Sequence, residues 1–307
     1  MMRAGEARRE RRCVDGVLLL DKPAGLSSNA ALQRVKRLYA AEKAGHTGTL
    51  DPLATGLLPI CLGDATKFAQ ALLGSGKRYV ATIRFGSATA TGDAEGAIVE
   101  SGPVAFDEGQ LRAALRQFVG VLRQQPPRYA ALKFAGRNYY EYAREGIEIP
   151  RAPREVTIDA LSLVDWAPPL ATIEVECGKG TYIRVLAEDI ARALGSCAHL
   201  AALRRTAAGP FNIREAANLE TLEGLELPER DALLLPVDSP LADLPDLLVD
   251  AASAQALFHG QLPLAGASAD GPCRGYDPDG RFIGLVEVAG ERLRAVRLVR
   301  ASPVPDK

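Results

Sequence analysis

Hydrophobic positions change period several times along the chain, and each change marks an element. Gly16-Val17-Leu18-Leu19-Leu20-Asp21 is an unbroken apolar run closed by Lys22-Pro23-Ala24-Gly25. It predicts a strand buried on both faces, followed by a turn. Ser27 or Ser28 then caps a helix running to about Tyr39, with Leu32 and Val35 inward and Arg34, Lys36 and Arg37 mostly outward. Leu58–Leu62 reads as a strand, and Asp64 as the cap of a second helix over Thr66–Leu73. From Lys77 to Phe85 the period falls to two, with Tyr79, Ala81, Ile83 and Phe85 on one side, as in a half-buried strand.

Asp93-Ala94-Glu95-Gly96 predicts a turn into Ala97–Glu100, and Leu111, Leu115 and Phe118 space a helix. Two hairpin-like segments follow, one turning at Ala135-Gly136-Arg137-Asn138, and then a short helix over Tyr139–Arg144 that stops at Gly146. Val156–Trp166 and Ala171–Cys177 read as paired strands around Pro168-Pro169. Gly178–Arg184 leads into a helix with Leu186, Ile190 and Leu194 on its apolar face, ended by Gly195. Residues 224–247, rich in Leu, Pro and acids, read as a connector; beyond Leu248 come one short helix and several short strands with glycine turns, such as Asp279-Gly280. Strands and helices mix without a regular β-α-β alternation. The expected class is therefore α+β, a mixed, mostly antiparallel central sheet flanked by helices, with a small β-rich C-terminal domain. The expected division is a flexible arm over 1–13, a catalytic domain over 14–245 and the small domain over 246–307.

Composition narrows the function classes. Apolar residues make up 47% and charged residues 24%, as in an ordinary globular protein, and no apolar run approaches the roughly eighteen residues of a membrane span. The arginine-rich start lacks the apolar stretch of a secretory signal. Cys13, Cys61, Cys177, Cys197 and Cys273 are odd in number and widely spaced, which fits reduced thiols in a cytoplasm rather than a disulfide framework or zinc site. His46, His199 and His259 are too scattered to suggest a metal cluster. The net charge of −1 conceals a segregation: residues 22–84 and 112–154 each carry nine Lys/Arg against three Asp/Glu, whereas 214–250 carries ten acids against two arginines. Basic segments suit a polyanionic substrate, although solvated helix faces produce the same counts.

One stretch has no period at all. Gly45-His46-Thr47-Gly48-Thr49-Leu50-Asp51-Pro52-Leu53-Ala54-Thr55-Gly56 joins three glycines to one carboxylate, with leucines that imply packing against the core. It suits either an active-site loop or a glycine-rich turn whose aspartate caps a helix. Elsewhere, Gly74-Ser75-Gly76-Lys77 fails as a phosphate loop because Ala71 and Arg78 occupy required positions, and Gly178-Lys179-Gly180-Thr181 fails at Ile173. No metalloprotease, nucleophile-elbow or dinucleotide fingerprint is present, so no cofactor or metal is expected. What remains is Asp51, the strand tyrosines Tyr79 and Tyr182, and Arg184. An arginine beside a carboxylate orients it and lowers its pKa, which suits nucleophilic attack or proton abstraction; the tyrosines offer stacking surfaces for a flat base.

These segments together resemble the TruB family of bacterial tRNA pseudouridine-55 synthases. The likeness rests on Gly16–Ser28, Gly45–Gly56, Lys77-Arg78-Tyr79, Lys179-Gly180-Thr181-Tyr182-Ile183-Arg184 and Leu203-Arg204-Arg205, in order and with normal spacing. It implies a pseudouridine synthase fold with a PUA-like RNA-binding C-terminal domain, and isomerisation of a T-loop uridine. In this resemblance Asp51 matches the catalytic aspartate, Arg184 its partner, Tyr79 the residue stacked on uracil and His46 the one reaching into the T-loop. Tyr182 and Leu203 match the uridine pocket, and Lys22 the support of the loop. It further implies action on tRNA without a protein partner; a polyanionic substrate rather than a second subunit covering the basic faces suggests a monomer, and the lack of a long apolar run suggests no membrane. In Thr89-Ala90-Thr91-Gly92-Asp93, Ala90 stands where family members often carry an acid, so no role is assigned to that turn. Two other readings are an RNA-binding or chaperone protein and a guide-RNA-dependent pseudouridine synthase.

Overall fold

β1 (Gly16–Lys22) is the strand its apolar run predicts, and both its faces are covered. Leu18 and Leu20 enter the larger core while Val17 and Leu19 enter a second one on the opposite side, with Leu57, Cys61, Leu72 and Phe211. Alternate residues of a strand point to opposite faces, so burial on both removes the polar half of the pattern. The structure, a computed structural model, describes residues 11–266 and 270–300. The expected arm, save its last three residues, lies outside the described residues.

α1 (Ser28–Leu38) begins at Ser27, whose hydroxyl accepts the Ala30 N–H at 3.1 Å, and it buries Ala31, Leu32 and Val35. Each large aliphatic side chain buried this way contributes about 1.5–3 kcal/mol. β2 (Ala44–His46), β3 (Thr55–Leu62) and β4 (Lys77–Phe85) then enter the sheet. On β4, Tyr79, Ala81, Ile83 and Phe85 are buried, as its alternation predicts. The sheet runs Ala217–Asn218, β1, β3, Ala198–Ala208, β4, Leu170–Cys177, Arg154–Ala167, Gly120–Gln124. β2 pairs with β3 off this path. Two pairings are parallel, β1 with Ala217–Asn218 and β3 with Ala198–Ala208; the other pairings are antiparallel. A mixed, mostly antiparallel sheet flanked by helices is thus the observed architecture.

Several expectations are corrected. β3 starts at Thr55, not Leu58. The expected helix over Thr66–Leu73 is a 3-10 turn, Gly63–Lys67, followed by a helix over Ala69–Gly74. Asp64 caps neither with its side chain; its carboxylate takes Lys67 and Arg300 instead. Of the two hairpin-like segments, Lys133–Phe134 with Arg137–Asn138 is a local hairpin, but Gly120–Gln124 pairs with the distant Arg154–Ala167. The connector over 224–247 contains a helix, Leu227–Asp231, and bridges to β1 through Leu235 and Val17. A further sheet joins Asp246–Leu248, Gly271–Tyr276, Phe282–Ala289 and Arg292–Leu298. Together with the helix Ala251–Phe258 it encloses its own small core of Val249, Leu257, Ile283, Val286 and Leu293.

Candidate active site

The loop between β2 and β3 is tied down from four directions. From α1, the Ser28 hydroxyl donates to the Leu50 carbonyl (2.9 Å) and accepts the Leu50 N–H (2.7 Å). From the end of β1, the buried Lys22 ammonium donates to the carbonyls of Pro23 (2.9 Å), Leu26 (2.7 Å) and Pro52 (3.4 Å). Gly25 N–H adds a bond to Pro52. From the strand Ala198–Ala208, Arg205 donates to Gly48 (2.9 Å) and Leu57 (2.7 Å) carbonyls. Gly48 takes φ +72°, and a Cβ there would sit 3.1 Å from the Arg205 guanidinium, so glycine suits both the angle and the approach. Leu50 and Ala54 sink into the core. The loop is rigid and packed.

Asp51 projects from that loop with its side chain 39% exposed. Among the described residues no backbone N–H reaches its carboxylate, which rules out the helix-capping explanation. The partner is Arg184, in the first turn of the helix Ile183–Ala193, with Nη2 3.1 Å from Asp51 Oδ2. That helix packs on the sheet through Ile183, Leu186, Ala187 and Ile190, which carries Arg184 inside at 6% side-chain exposure. Its guanidinium also donates to the Thr91 (2.8 Å) and Tyr129 (2.7 Å) carbonyls and lies 3.4 Å from Asp93 Oδ2. The planar fork is thus fixed by two carbonyls and shared between two carboxylates.

Asp93 was not foreseen, and it comes from the turn to which the sequence assigned no role. Ala90 itself is exposed. Asp93 is buried, with its carboxylate accepting the Thr91 hydroxyl (2.5 Å) and the Glu95 N–H (3.1 Å). The site therefore holds two carboxylates, not one. Arg184 acts on the Asp51 pKa in the expected downward direction, but it does not set the balance. Burial pushes the Asp51 carboxyl above its ordinary value, with Asp93 adding to the push, and Arg184 and Lys22 only partly oppose it. Burial likewise draws the Lys22 ammonium down to about 8. Arg184→Lys keeps the charge but loses the fork. We expect that variant to leave Asp51 unaimed, slowing any reaction at that carboxylate on the order of 10²-fold in single-turnover kinetics.

Other sequence-predicted residues gather here. Tyr79 on β4 lies opposite Val175 and Arg205, and its phenol is raised by burial. Leu203, nearly buried, faces Ala81 across the same sheet. Tyr182 is not strand-borne as expected; it is the N-cap of the helix that carries Arg184. Its phenol is raised by burial and lies within the fields of Arg184 and Asp51. His46 stands apart at the far end of the loop, on β2, where burial and the charge of Arg205 lower its pKa. His46 Nδ1 and Thr47 Oγ1 are buried without a hydrogen-bond partner among the described residues. Besides Asp93, the sequence missed Arg205 and Gln124 as parts of this structure. The signal for Arg205 is the Leu203-Arg204-Arg205 alternation, which on a covered strand turns one arginine inward. No group of His, Cys, Asp and Glu suited to a metal occurs among the described residues.

Comparison with known proteins now decides the family. A tRNA pseudouridine synthase B of Burkholderia mallei is 52% identical over 299 residues, covering 95% of this chain and 96% of that protein. The chain belongs to the TruB family. A model described as TruB family pseudouridylate synthase (N terminal domain) matches residues 36–183. Models for the tRNA pseudouridylate synthase B C-terminal domain and for tRNA Pseudouridine synthase II, C terminal, match 184–242 and 244–300. A tRNA pseudouridine synthase B of Neisseria meningitidis serogroup B is 48% identical over 297 residues, covering 95% of this chain and 97% of that protein. Among solved structures, a Cbf5-Nop10-Gar1 complex contains a chain superposing with TM-score 0.70 at 26% identity, covering 92% of this TruB chain and 84% of its own. An archaeal Nop10-Cbf5 complex gives 0.69 at 24%, a likeness of fold.

Proposed function

We propose that this TruB protein converts a uridine in the T-loop of tRNA, position 55, to pseudouridine, with Asp51 as the catalytic group. The observation that carries this is the Asp51–Arg184–Asp93 arrangement: an aimed, partly open carboxylate on a rigid loop, in a chain of this family. The reaction breaks the N1–C1′ bond, turns the uracil and joins C5 to C1′, while the C5 proton leaves and N1 gains one. No redox change and no transferred external group is involved. Two routes use the carboxylate, attack at C1′ or removal of the C2′ proton, and both require it ionised. The target base leaves its stack at a cost of a few kcal/mol, so Tyr79 serves as its platform and Tyr182 and Leu203 as its walls. His46 reaches into the RNA loop; His46 Nδ1 and Thr47 Oγ1 have no partner among the described residues, which fits a loop awaiting a polar ligand. Lys22 holds the Asp51 loop in place.

On this proposal residues 14–245 form the catalytic domain and 246–307 a PUA-like RNA-binding domain, acting as a monomer. The buried, unpaired Cys61, Cys177, Cys197 and Cys273 fit a cytoplasmic enzyme. Unmodified tRNA transcript incubated with the protein alone should gain a mass-silent, carbodiimide-reactive residue at a single T-loop position. Conversion only with added guide RNA would favour a guide-dependent enzyme, and tight binding without conversion an RNA-binding protein. Because burial raises the Asp51 pKa, the rate should fall with acidification at a pH above the ordinary aspartate range. An acid limb at or below that ordinary range would contradict the assignment.

A further inference from the structure

We propose that Gln124 is a positioning residue for this reaction, clamping Tyr182 and, through it, the register of Arg184 against Asp51. The inference rests on the function proposed above. Gln124 ends the edge strand Gly120–Gln124 and is a buried polar side chain, 2% exposed, on a strand whose other residues are largely open. Both ends of its amide go to one residue. Oε1 accepts the Tyr182 N–H at 3.0 Å and Nε2 donates to the Tyr182 carbonyl at 3.3 Å. That carbonyl also accepts the Leu186 N–H, the first bond of the helix.

Two bonds from one rigid amide fix the orientation of the peptide groups on both sides of residue 182, where a single bond leaves a hinge. Tyr182 begins the helix without a side-chain cap of its own. Gln124 therefore satisfies the N–H there and sets the angle at which the helix leaves. Arg184 follows two residues later in the first turn, so a rotation at 182 swings its guanidinium relative to Asp51. The same segment braces that guanidinium directly, because the Tyr129 carbonyl accepts from Arg184 Nη2 at 2.7 Å. Residues 124–129 thus hold the Tyr182 backbone and the Arg184 head group together. An apolar residue of Gln124's size fills the space but leaves the Tyr182 N–H unpaired, so the clamp carries a stability cost that the test separates from its effect on rate.

The test compares Gln124→Met, which keeps the volume and deletes both bonds, with Gln124→Asn, which keeps the amide but withdraws it by one methylene. Val156→Ala, on the neighbouring strand Arg154–Ala167, is a control that weakens packing away from the clamp. Single-turnover conversion of tRNA transcript, RNA affinity, thermal midpoint and the pH–rate profile are measured for each. Both Gln124 variants should lose rate on the order of 10–10²-fold with RNA affinity within about twofold of the unaltered protein. Their acid limbs should move to higher pH, because a displaced Arg184 no longer restrains the Asp51 pKa. Val156→Ala should lower the midpoint while leaving rate and acid limb where they were. Gln124→Asn with the unaltered rate and acid limb would overturn the clamp, whatever Gln124→Met does to folding. A rate loss matched by Val156→Ala at equal midpoint would overturn it too. If the unaltered protein makes no pseudouridine, the proposed function fails and the clamp with it; if it does and the Gln124 variants match it, the clamp alone fails.

Discussion

Asp51→Asn should bind tRNA as tightly as the unaltered protein and lose conversion on the order of 10⁴-fold, the upper end of what one positioned acid–base group supplies. The substitution preserves shape and still offers Arg184 an amide oxygen, so the loop held by Ser28, Lys22 and Arg205 stays in place. What disappears is the charge, on which both routes through C1′ or C2′ depend. Folding stability provides a second, independent readout. An acid raised in the folded state keeps its proton longer there than in the unfolded chain. As pH climbs from the ordinary aspartate value through the raised one, the folded state therefore holds more protons, and stability falls. Above both values the penalty is constant. Asp51→Asn removes it, so at neutral pH the variant should melt at or above the temperature of the unaltered protein. Turnover within tenfold of the unaltered rate would sink Asp51 as the catalytic group; a markedly lower midpoint would show the carboxylate to be a structural anchor.

That balance depends on Asp93, and its position shows where sequence stopped being informative. β1, α1 and β4 are legible because their burial follows local periods: an unbroken run, a helical stripe behind Ser27, and a clean alternation from Tyr79 to Phe85. The Asp51 loop is legible for the opposite reason, since twelve residues without a period and with three glycines have few structural uses. The strand Ala198–Ala208 was invisible by the same criteria. Its alanines favour helix and its two adjacent arginines suggest surface, yet lying between β3 and β4 it buries even Arg205. Register shifts between Leu200 and Ala202 and between Arg205 and Ala207 break what alternation it has. Asp64 resembles a cap because Asp before a helix usually is one; nearby Lys67 and distant Arg300 claim it instead. Asp93 and Gln124 escaped because their partners lie 91 and 58 residues away, Arg184 and Tyr182, and no local pattern encodes such a pairing.

Gly56→Ala should severely destabilise the sheet that supports the site. Gly56 lies on β3, opposite Lys22 of β1 on one side and Arg205 on the other. Its φ is +100°, and an added Cβ would stand 2.3 Å from the Arg205 carbonyl oxygen and 2.7 Å from the Arg205 nitrogen. Those atoms are backbone in a sheet interior and have no rotamer to move into. The conformational strain alone costs about 1–3 kcal/mol, and parting β3 from the neighbouring strand brings the expected loss to roughly 3–5 kcal/mol. Gly195→Ala is the matched comparison: φ is +67° but nothing lies within 4 Å of the added carbon, so about 1–2 kcal/mol is expected. Urea unfolding of the two variants separates strain from collision, and a Gly56→Ala loss no larger than that of Gly195→Ala would refute the collision. Activity should fall with stability in the first variant alone. Displacing Arg205 frees the Gly48 carbonyl and removes one of the tethers that aim Asp51, whereas Gly195 sits at the opposite end of the Arg184 helix.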